Sequence, residues 1–363
     1  MTQFSKRRDK LISMLRREKQ EALLVTNPTN VSYLTGFTGE DSYLLVTLGQ
    51  CIVLSDQRFT TQLEEECPDL TFEIRGPGRK MLSSVADLLK RLKIRAVGIE
   101  ANSMTVALHN ALQSALERCD LLPTDGLIEQ LRMIKDRSEI DRTRNACNIA
   151  RRTFEVVRAS LTPEMTEQQV AADLEYQARR FGGKCMSFPS IVAVGHRAAL
   201  PHASPTDQRL GAGDFVLIDW GVNEGQYASD LTRILVTGKI LPKLRKIYGI
   251  VLKAQLAGIR AIRPGVTAGA VDRAARSVIE KAGFGKHFGH SLGHGTGLEV
   301  HEAPRLGSGQ STVLKAGMIV TVEPGIYLPG WGGVRIEDDV LVTRGGYEVL
   351  TSVPKELDQC LVG

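Results

Sequence analysis

The chain has 363 residues, of which 42% are hydrophobic and 24% are charged, and its formal net charge at pH 7 is +5. This length and composition are typical of a globular protein of two domains, and so small a net charge does not favour a nucleic-acid partner. The sequence has no apolar run of 18 residues, no signal-peptide core and no CxxC among its six cysteines. We therefore expect a cytoplasmic protein with reduced thiols and no membrane segment.

Residues 1–123 alternate short apolar runs with helical patterns. This alternation predicts an α/β domain with a mixed or largely parallel sheet. The sequence lacks GxGxxG and P-loop motifs, so we expect no nucleotide site. Strands are predicted at 21–26, 42–47, 51–55, 70–74 and 95–100, and helices near 5–19, 57–67, 79–92 and 105–117.

A second domain is predicted over 124–363, and the boundary lies in a turn-forming Pro-Thr-Asp-Gly segment that begins at Pro123. Its helical patterns alternate with glycine-rich segments that are typical of strands. The pattern favours an α+β domain in which helices pack on one side of curved antiparallel strands. Helices are predicted near 137–160, 166–181, 242–262 and 267–282.

The segment IDWGVNEGQYASDLTR is typical of a β-hairpin. Asp219 and Asp230 are equidistant from Glu224-Gly225, so a turn at that dipeptide would place the two carboxylates opposite each other across the strands. Two ionised carboxylates that face each other repel, and divalent cations offset that repulsion. The hairpin therefore indicates a metal site.

A second segment, TVEPGIYLPGWGGVRIEDD, repeats this arrangement. Glu323 and Glu337 are symmetric about Gly330, and strand alternation places Arg335 on the same face as Glu337. The Pro324-Gly325 step distorts the first strand, which makes this register harder to predict than that of the first hairpin.

Between the hairpins lies HSLGHGTGLEVHEAP, with His290, His294 and His301. Its glycines predict irregular backbone, and the proline after His301-Glu302-Ala303 disrupts any zinc helix of the HExxH type. An Asp pair alone would fit a solvated surface, and a histidine cluster alone would fit a structural role. Four carboxylates with an imidazole and no cysteine together favour hard or borderline ions such as manganese over a closed structural zinc site.

The order and spacing of these motifs resemble those of the pita-bread metallopeptidases, which include Xaa-Pro aminopeptidase, prolidase, methionine aminopeptidase and creatinase. The resemblance runs from about 137 to 353 and includes FPSIVAVGHRAALPHASPTD, SDLTR and GVRIEDD. Residues 1–123 are similar to the N-terminal domain of the creatinase and prolidase branch, which methionine aminopeptidases lack. One departure is Gln226, where many relatives carry glycine, and it concerns the shape of the turn.

The resemblance implies two divalent metal ions, most often manganese, with cobalt or zinc as alternatives. In this correspondence Asp230 and Glu337 bridge the ions, Asp219 chelates one of them, and His294 and Glu323 complete the other. The implied fold is an α/β N-terminal domain followed by an α+β pita-bread catalytic domain.

The resemblance also implies roles in catalysis and substrate binding. Glu323 would take a proton from the attacking water, and His202 and His301 would stabilise the tetrahedral intermediate. His290 would contact the substrate beyond the scissile bond, and Arg335 would orient the carboxylate of Asp219.

The implied activity is that of an Xaa-Pro aminopeptidase acting on short peptides with proline at the second position. An Xaa-Pro dipeptidase (prolidase) would use the same site, since the two differ in the room beyond the proline. Less favoured are a non-proline aminopeptidase, a creatinase-like C–N hydrolase without the metal ligands, and a binding module that has lost catalysis. Relatives with this N-terminal domain are commonly dimers, so we expect a homodimer and neither a nucleic-acid nor a membrane partner.

Overall fold

The structure is a computed structural model that describes residues 2–116 and 118–362. It divides into two compact units, of which the first ends at Arg132 and the second begins at Met133. The sequence places the end of the first domain at 123. In the structure, residues 120–124 form the last strand of the first unit's sheet, and a short helix follows before the division.

The first unit is a six-stranded mixed sheet with flanking helices. The strand order is β4-β3-β2-β1-β5-β6; β1, β2 and β3 pair antiparallel, and the other neighbours pair parallel. The strands are β1 (Ala22–Val25), β2 (Tyr43–Thr47), β3 (Cys51–Asp56), β4 (Thr71–Arg75), β5 (Ala96–Glu100) and β6 (Asp120–Thr124). The helices are α1 (Gln3–Arg17), α2 (Pro28–Thr35), α3 (Thr60–Glu66), α4 (Met81–Arg91), α5 (Val106–Ala115) and α6 (Leu127–Arg132).

Helix α2 and strand β6 were not predicted. Six of the eight residues of α2 are buried, so the helix lacks the polar face that helical periodicity would show. Its ends carry local signals: Asn27 caps its first turn and Gly36 ends it in the left-handed conformation, with φ of +83°. Strand β6 contains Pro123, and a proline weakens the sequence signal for a strand. The proline is tolerated because β6 lies at the edge of the sheet.

The second unit begins with two long helices and adds two more between its metal-site segments. Capping boxes at Asp136 and Thr166 start the first two helices, and Pro242 starts the third. The helices lie close to their predicted positions and are α7 (Arg137–Ser160), α8 (Glu167–Arg180), α9 (Pro242–Ala261) and α10 (Ala268–Lys281).

The strands of the second unit form antiparallel sheets. The sheet orders are β11-β10-β7, β12-β9-β8, β14-β13-β15-β18-β19 and β16-β17. The strands in the first half are β7 (Cys185–Met186), β8 (Ile191–Val194), β9 (Phe215–Trp220), β10 (Val222–Glu224), β11 (Tyr227–Ala228) and β12 (Leu231–Val236). Those in the second half are β13 (Gly293–Gly295), β14 (Glu302–Leu306), β15 (Ile319–Val322), β16 (Gly325–Leu328), β17 (Gly332–Arg335), β18 (Asp338–Thr343) and β19 (Gly346–Val349).

Helices cover both faces of the β12-β9-β8 sheet rather than one side alone. Alternate residues of β9 belong to two different cores: Leu217 packs with α9 and α10, whereas Ile218 and Trp220 pack with α7 and α8. Trp220 stacks on Phe154 of α7 with ring centroids 4.3 Å apart. Strand β9 is buried throughout, so it is rigidly held where it carries Asp219.

Among the residues that the structure describes, none of the helices is long and apolar enough to cross a membrane.

Candidate metal centre

The first hairpin has a different register from the predicted one. Its turn is Gly225-Gln226, flanked by the pair Glu224 and Tyr227, and further along Asp219 pairs with Thr232 instead of Asp230. Both turn residues have positive φ, +51° and +73°, as a two-residue turn of type I′ requires. The prediction of a Glu224-Gly225 turn was wrong because it overlooked that Gln226 can adopt this conformation.

The observed pairing differs from the predicted one by two residues, so every side chain stays on the face of the sheet where it was predicted. Side chains alternate with a period of two, so Asp230 lies diagonal to Asp219 and not opposite it. The backbone is irregular at this point, since Asp230 precedes β12 and its N–H donates to Asp339 Oδ2 at 2.8 Å. The two aspartates consequently still face one pocket.

The second hairpin has the register that its symmetry about Gly330 predicts. Gly325 pairs with Arg335 in β16-β17, and Val322 pairs with Asp338 in β15-β18, so a single register continues through both sheets. Glu323 and Glu337 lie at the breaks between these sheets. The breaks release both residues from regular strand pairing and let their side chains enter the same pocket.

All nine residues that the sequence analysis singled out for the site line a single cavity of about 670 Å³. These residues are Asp219, Asp230, His294, Glu323, Glu337, His202, His290, His301 and Arg335. The cavity wall also contains Tyr327 and Arg305, which the sequence analysis did not select.

Three of the five candidate ligands are especially close together. One ligand atom from each of Asp230, His294 and Glu337 lies within 4.8 Å of the other two. His294 Nε2 is 3.7 Å from Asp230 Oδ2 and 3.4 Å from Glu323 Oε1. These separations suit side chains that share a metal ion.

The protonation of His294 fits a metal ligand. Its Nδ1 lies 3.0 Å from Gly295 O, and a carbonyl can only accept, so Nδ1 carries the proton. Burial lowers the pKa of His294 to about 4, which leaves the ring neutral at pH 7. The lone pair of Nε2 then faces two carboxylates, an arrangement that a cation between them would stabilise.

The four carboxylates are also suited to binding divalent cations. Burial raises the pKa of Asp219, Asp230, Glu323 and Glu337, that of Glu323 to about 8, and repulsion among the four raises those of Asp230, Glu323 and Glu337 further. Within the described residues, the buried Asp219 Oδ1 has no hydrogen-bond partner. Divalent ions would neutralise this charge and satisfy that oxygen, so the donor set fits the group that a metallopeptidase holds.

A hydrogen-bonded chain links the two hairpins through Thr232. Arg335 Nη2 donates to Asp219 Oδ2 at 2.6 Å, and Arg335 Nε donates to Thr232 Oγ1 at 3.0 Å. The Thr232 hydroxyl in turn donates to Glu337 Oε2 at 2.6 Å. Sequence reasoning missed Thr232, although its place opposite Asp219 would have followed from the correct turn.

His290 is held by a second chain that starts at Arg335. Arg335 Nη1 donates to Tyr327 Oη at 2.9 Å, and Tyr327 Oη lies 3.0 Å from His290 Nε2. His290 Nδ1 donates to Ser291 O at 2.8 Å, so Nε2 accepts the proton of the tyrosine hydroxyl. Burial lowers the pKa of His290 to about 4, in keeping with this neutral tautomer. Both ring nitrogens are therefore engaged within the protein.

The remaining predicted histidines enter the cavity from different segments. The His301 ring packs edge-on against His294 with centroids 4.4 Å apart. His202 is exposed and lies on the segment between β8 and β9. Asp339 is a further group that the sequence did not reveal: besides the Asp230 N–H, it accepts from the buried Cys147 thiol.

Comparison with known proteins gives matches over both units. The sequence model of metallopeptidase family M24 matches residues 141–344, and that of the creatinase/prolidase N-terminal domain matches residues 7–134. The Xaa-Pro dipeptidase of Pyrococcus furiosus is 36% identical over 98% of this chain and 100% of its own.

Solved structures give matches of similar extent. The Xaa-Pro dipeptidase from Bacillus anthracis has a TM-score of 0.95 at 38% identity and covers 99% of this chain and 100% of its own. The X-Pro aminopeptidase from Thermotoga maritima has a TM-score of 0.88 at 34% identity and covers 94% and 97% of the two chains.

These matches and the cavity define the class of the protein as a two-domain hydrolase that depends on divalent metal ions. The chain belongs to metallopeptidase family M24. The predicted family, the α/β plus pita-bread fold and the predicted metallopeptidase activity are confirmed. The homodimer and the roles of the individual site residues stay predictions.

Proposed function

We propose that this enzyme is an Xaa-Pro dipeptidase that hydrolyses dipeptides with proline in second place, using two divalent ions. This reverses the order of the sequence analysis, which favoured the aminopeptidase. The reversal is supported by relatives named Xaa-Pro dipeptidase that cover nearly the whole chain. The observation that carries the proposal is an arginine, Arg305, in the wall of the metal-site cavity.

Arg305 is suited to the free carboxylate of a dipeptide. Its side chain is exposed at the cavity, and its Nε donates to Ser291 Oγ at 2.5 Å, next to His290. A guanidinium pairs strongly and in a fixed geometry with a carboxylate, whereas it gains far less from the neutral amide that follows proline in a longer peptide. Arg305 would thus favour Xaa-Pro over Xaa-Pro-Xaa.

The five candidate ligands would divide between two ions. Asp230 and Glu337 would contribute to holding both ions, Asp219 would hold one, and His294 with Glu323 would hold the other. When bound, such ions polarise a carbonyl and acidify water. The donor set of four carboxylates and one imidazole supports manganese as the native ion, with cobalt or zinc as substitutes.

The remaining groups act directly on the substrate. Glu323 accepts the proton of the attacking water, and its separation of 3.4 Å from His294 Nε2 supports this role. His202 and His301 donate hydrogen bonds to the oxyanion of the tetrahedral intermediate, where a donor contributes most.

We attribute the selectivity for proline to the missing N–H of the scissile bond and to apolar surface in the cavity. An Xaa-Pro bond is a tertiary amide without an N–H, so a site that selects it needs no acceptor for that proton. The ring nitrogens of His290 are already engaged, which leaves its face to pack against the pyrrolidine ring. Phe188, Pro189 and Pro201 supply further apolar surface in the same cavity.

The proposal is tested by measuring hydrolysis of Ala-Pro, Ala-Pro-Ala and Met-Ala-Ala with added manganese. We expect kcat/KM to be highest for Ala-Pro and lowest for Met-Ala-Ala. Arg305→Ala should raise KM for Ala-Pro by about tenfold or more and change KM for Ala-Pro-Ala little, since a charged hydrogen bond contributes about 1.5–3 kcal/mol.

The Thermotoga structure favours a second candidate, the Xaa-Pro aminopeptidase. Faster cleavage of Ala-Pro-Ala than of Ala-Pro would support it and exclude the dipeptidase. Preferred cleavage of Met-Ala-Ala would exclude both.

A further inference from the structure

A buried carboxylate outside the metal centre contacts both ends of the loop that carries His202. Glu167 is the first residue of α8, and its side chain has no solvent exposure. It accepts from the N–H groups of Val194 and Thr206, both at 2.8 Å, from Thr206 Oγ1 at 2.7 Å, and from Arg197 Nε at 3.0 and 3.1 Å. A buried charge with so many donors is fixed firmly, and each donor would be left unpaired without it.

We call residues 195–205 the His202 loop. Val194, the last residue of β8, precedes this loop, and Thr206 follows it, so Glu167 holds both of its ends. Arg197 also reaches across the loop, donating from Nη2 to Ser204 O at 2.7 Å. The first turn of α8 adds a backbone bond from Gln168 N to Thr206 O at 3.1 Å.

The middle of the same loop reaches the metal centre. His202, with its neighbours Pro201 and Ala203, lines the cavity. Arg335, which also holds Asp219, donates to Pro201 O at 3.3 Å. The loop is thus held at its ends by Glu167 and in its middle by the second hairpin.

We propose that Glu167 and Arg197 are positioning residues that hold His202 at the metal centre and thereby set the rate of hydrolysis without touching the substrate. The inference rests on the proposed function only in giving His202 a part in catalysis. A donor must lie close to its ideal position, since a displacement of about 1 Å can cost about 100-fold in rate. Glu167 and Arg197 together form a clamp, and the fully buried carboxylate of Glu167 supplies that precision for His202, which is itself exposed.

A double-mutant cycle between Glu167 and His202 tests this inference. Glu167→Gln keeps the shape of the side chain but puts an NH₂ group where donors now converge. We expect it to lower kcat by about tenfold, to change KM by less than about twofold and to leave the metal content unchanged. In a His202→Ala background the same change should alter kcat by less than about twofold, because the clamp has nothing left to position.

The matched control is Glu175→Gln on the same helix. Glu175 is exposed and pairs with Arg179 at 3.1 Å, so we expect no change in either background. Each variant is assayed on whichever of Ala-Pro, Ala-Pro-Ala and Met-Ala-Ala the unmodified enzyme cleaves fastest. A failure of the dipeptidase proposal would then show in the choice of peptide, while the cycle would still report on the clamp.

Equal losses of kcat in the two backgrounds would show that Glu167 does not act through His202 and would overturn the inference, as would full activity of Glu167→Gln. If Glu167→Gln does not fold, Thr206→Val removes one donor to Glu167 and keeps the N–H contact. We expect this variant to lower kcat by about threefold with His202 present and not at all with His202→Ala. Equal losses in both backgrounds would again overturn the inference.

Discussion

At the scale of single residues, the centre depends on groups that orient the candidate ligands. Thr232 is the clearest example, because one hydroxyl accepts from Arg335 and donates to Glu337. Because Arg335 also donates to Asp219, the hydroxyl connects Asp219 of the first hairpin to Glu337 of the second. Partners of this kind fix the direction in which a carboxylate presents its oxygens to a metal ion.

We predict that Thr232→Val, which keeps the shape of the side chain, weakens manganese binding by about 10–100-fold and lowers activity at limiting metal. Isothermal titration of the metal-free protein with manganese measures the first effect. The control is Thr237→Val, which removes a hydroxyl bonded to Gly213 O beyond the end of β12. Equal manganese affinity in the Thr232 variant and the unmodified protein would contradict the role given to this hydroxyl.

At the scale of elements, the sequence located most helices and strands because their periodicity is strong, as for α7 to α10. It also located both hairpins and every candidate ligand, since the carboxylates recur with clear spacing. The register of the first hairpin was not predictable by symmetry, because a side chain other than glycine occupies a position with positive φ at Gln226. Thr232 was missed because the turn was misplaced, since it pairs with Asp219 in the correct register. Tyr327 and Asp339 could not be selected, since their roles arise from contacts made only in the folded chain.

The turn gives a prediction at this scale. Gln226 has φ of +73°, a conformation that costs a non-glycine residue about 1 kcal/mol. Gln226→Gly should therefore raise the melting temperature of the second unit by about 2–4 °C and leave kcat unchanged within about twofold.

Calorimetry of the Gln226→Gly variant measures this shift. Gly225→Ala is the opposing variant: its φ of +51° disfavours any side chain, and its added Cβ would crowd the Arg142 guanidinium, so we expect destabilisation. A lower melting temperature for Gln226→Gly than for the unmodified protein would show that other contacts of Gln226 outweigh its backbone strain.

At the scale of the whole molecule, we expect metal binding and stability to be linked through the four carboxylates of the cavity. Burial raises the pKa of Glu323 from its ordinary value of 4.5 to about 8 and also raises those of Asp219, Asp230 and Glu337. The folded, metal-free protein therefore binds more protons than the unfolded chain at neutral pH, and its stability falls as the pH rises. Bound cations remove this cost, because they stabilise the ionised forms.

We predict that the melting temperature of the chelated protein falls progressively between about pH 4.5 and about pH 8, relative to the manganese-loaded protein at the same pH. Paired thermal unfolding scans across this range, with chelator and with manganese, give the difference directly. A gap between the two forms that narrows with rising pH would have the wrong sign for buried carboxylates and would contradict the assignment.

We propose that the five candidate ligands together hold two divalent ions on which peptide hydrolysis depends. The test follows hydrolysis of Ala-Pro while chelated protein of known metal content is titrated with manganese. We expect no turnover in protein shown by elemental analysis to be metal-free, and full activity at about two manganese ions per chain. Full turnover by the metal-free protein would show that hydrolysis does not depend on bound ions.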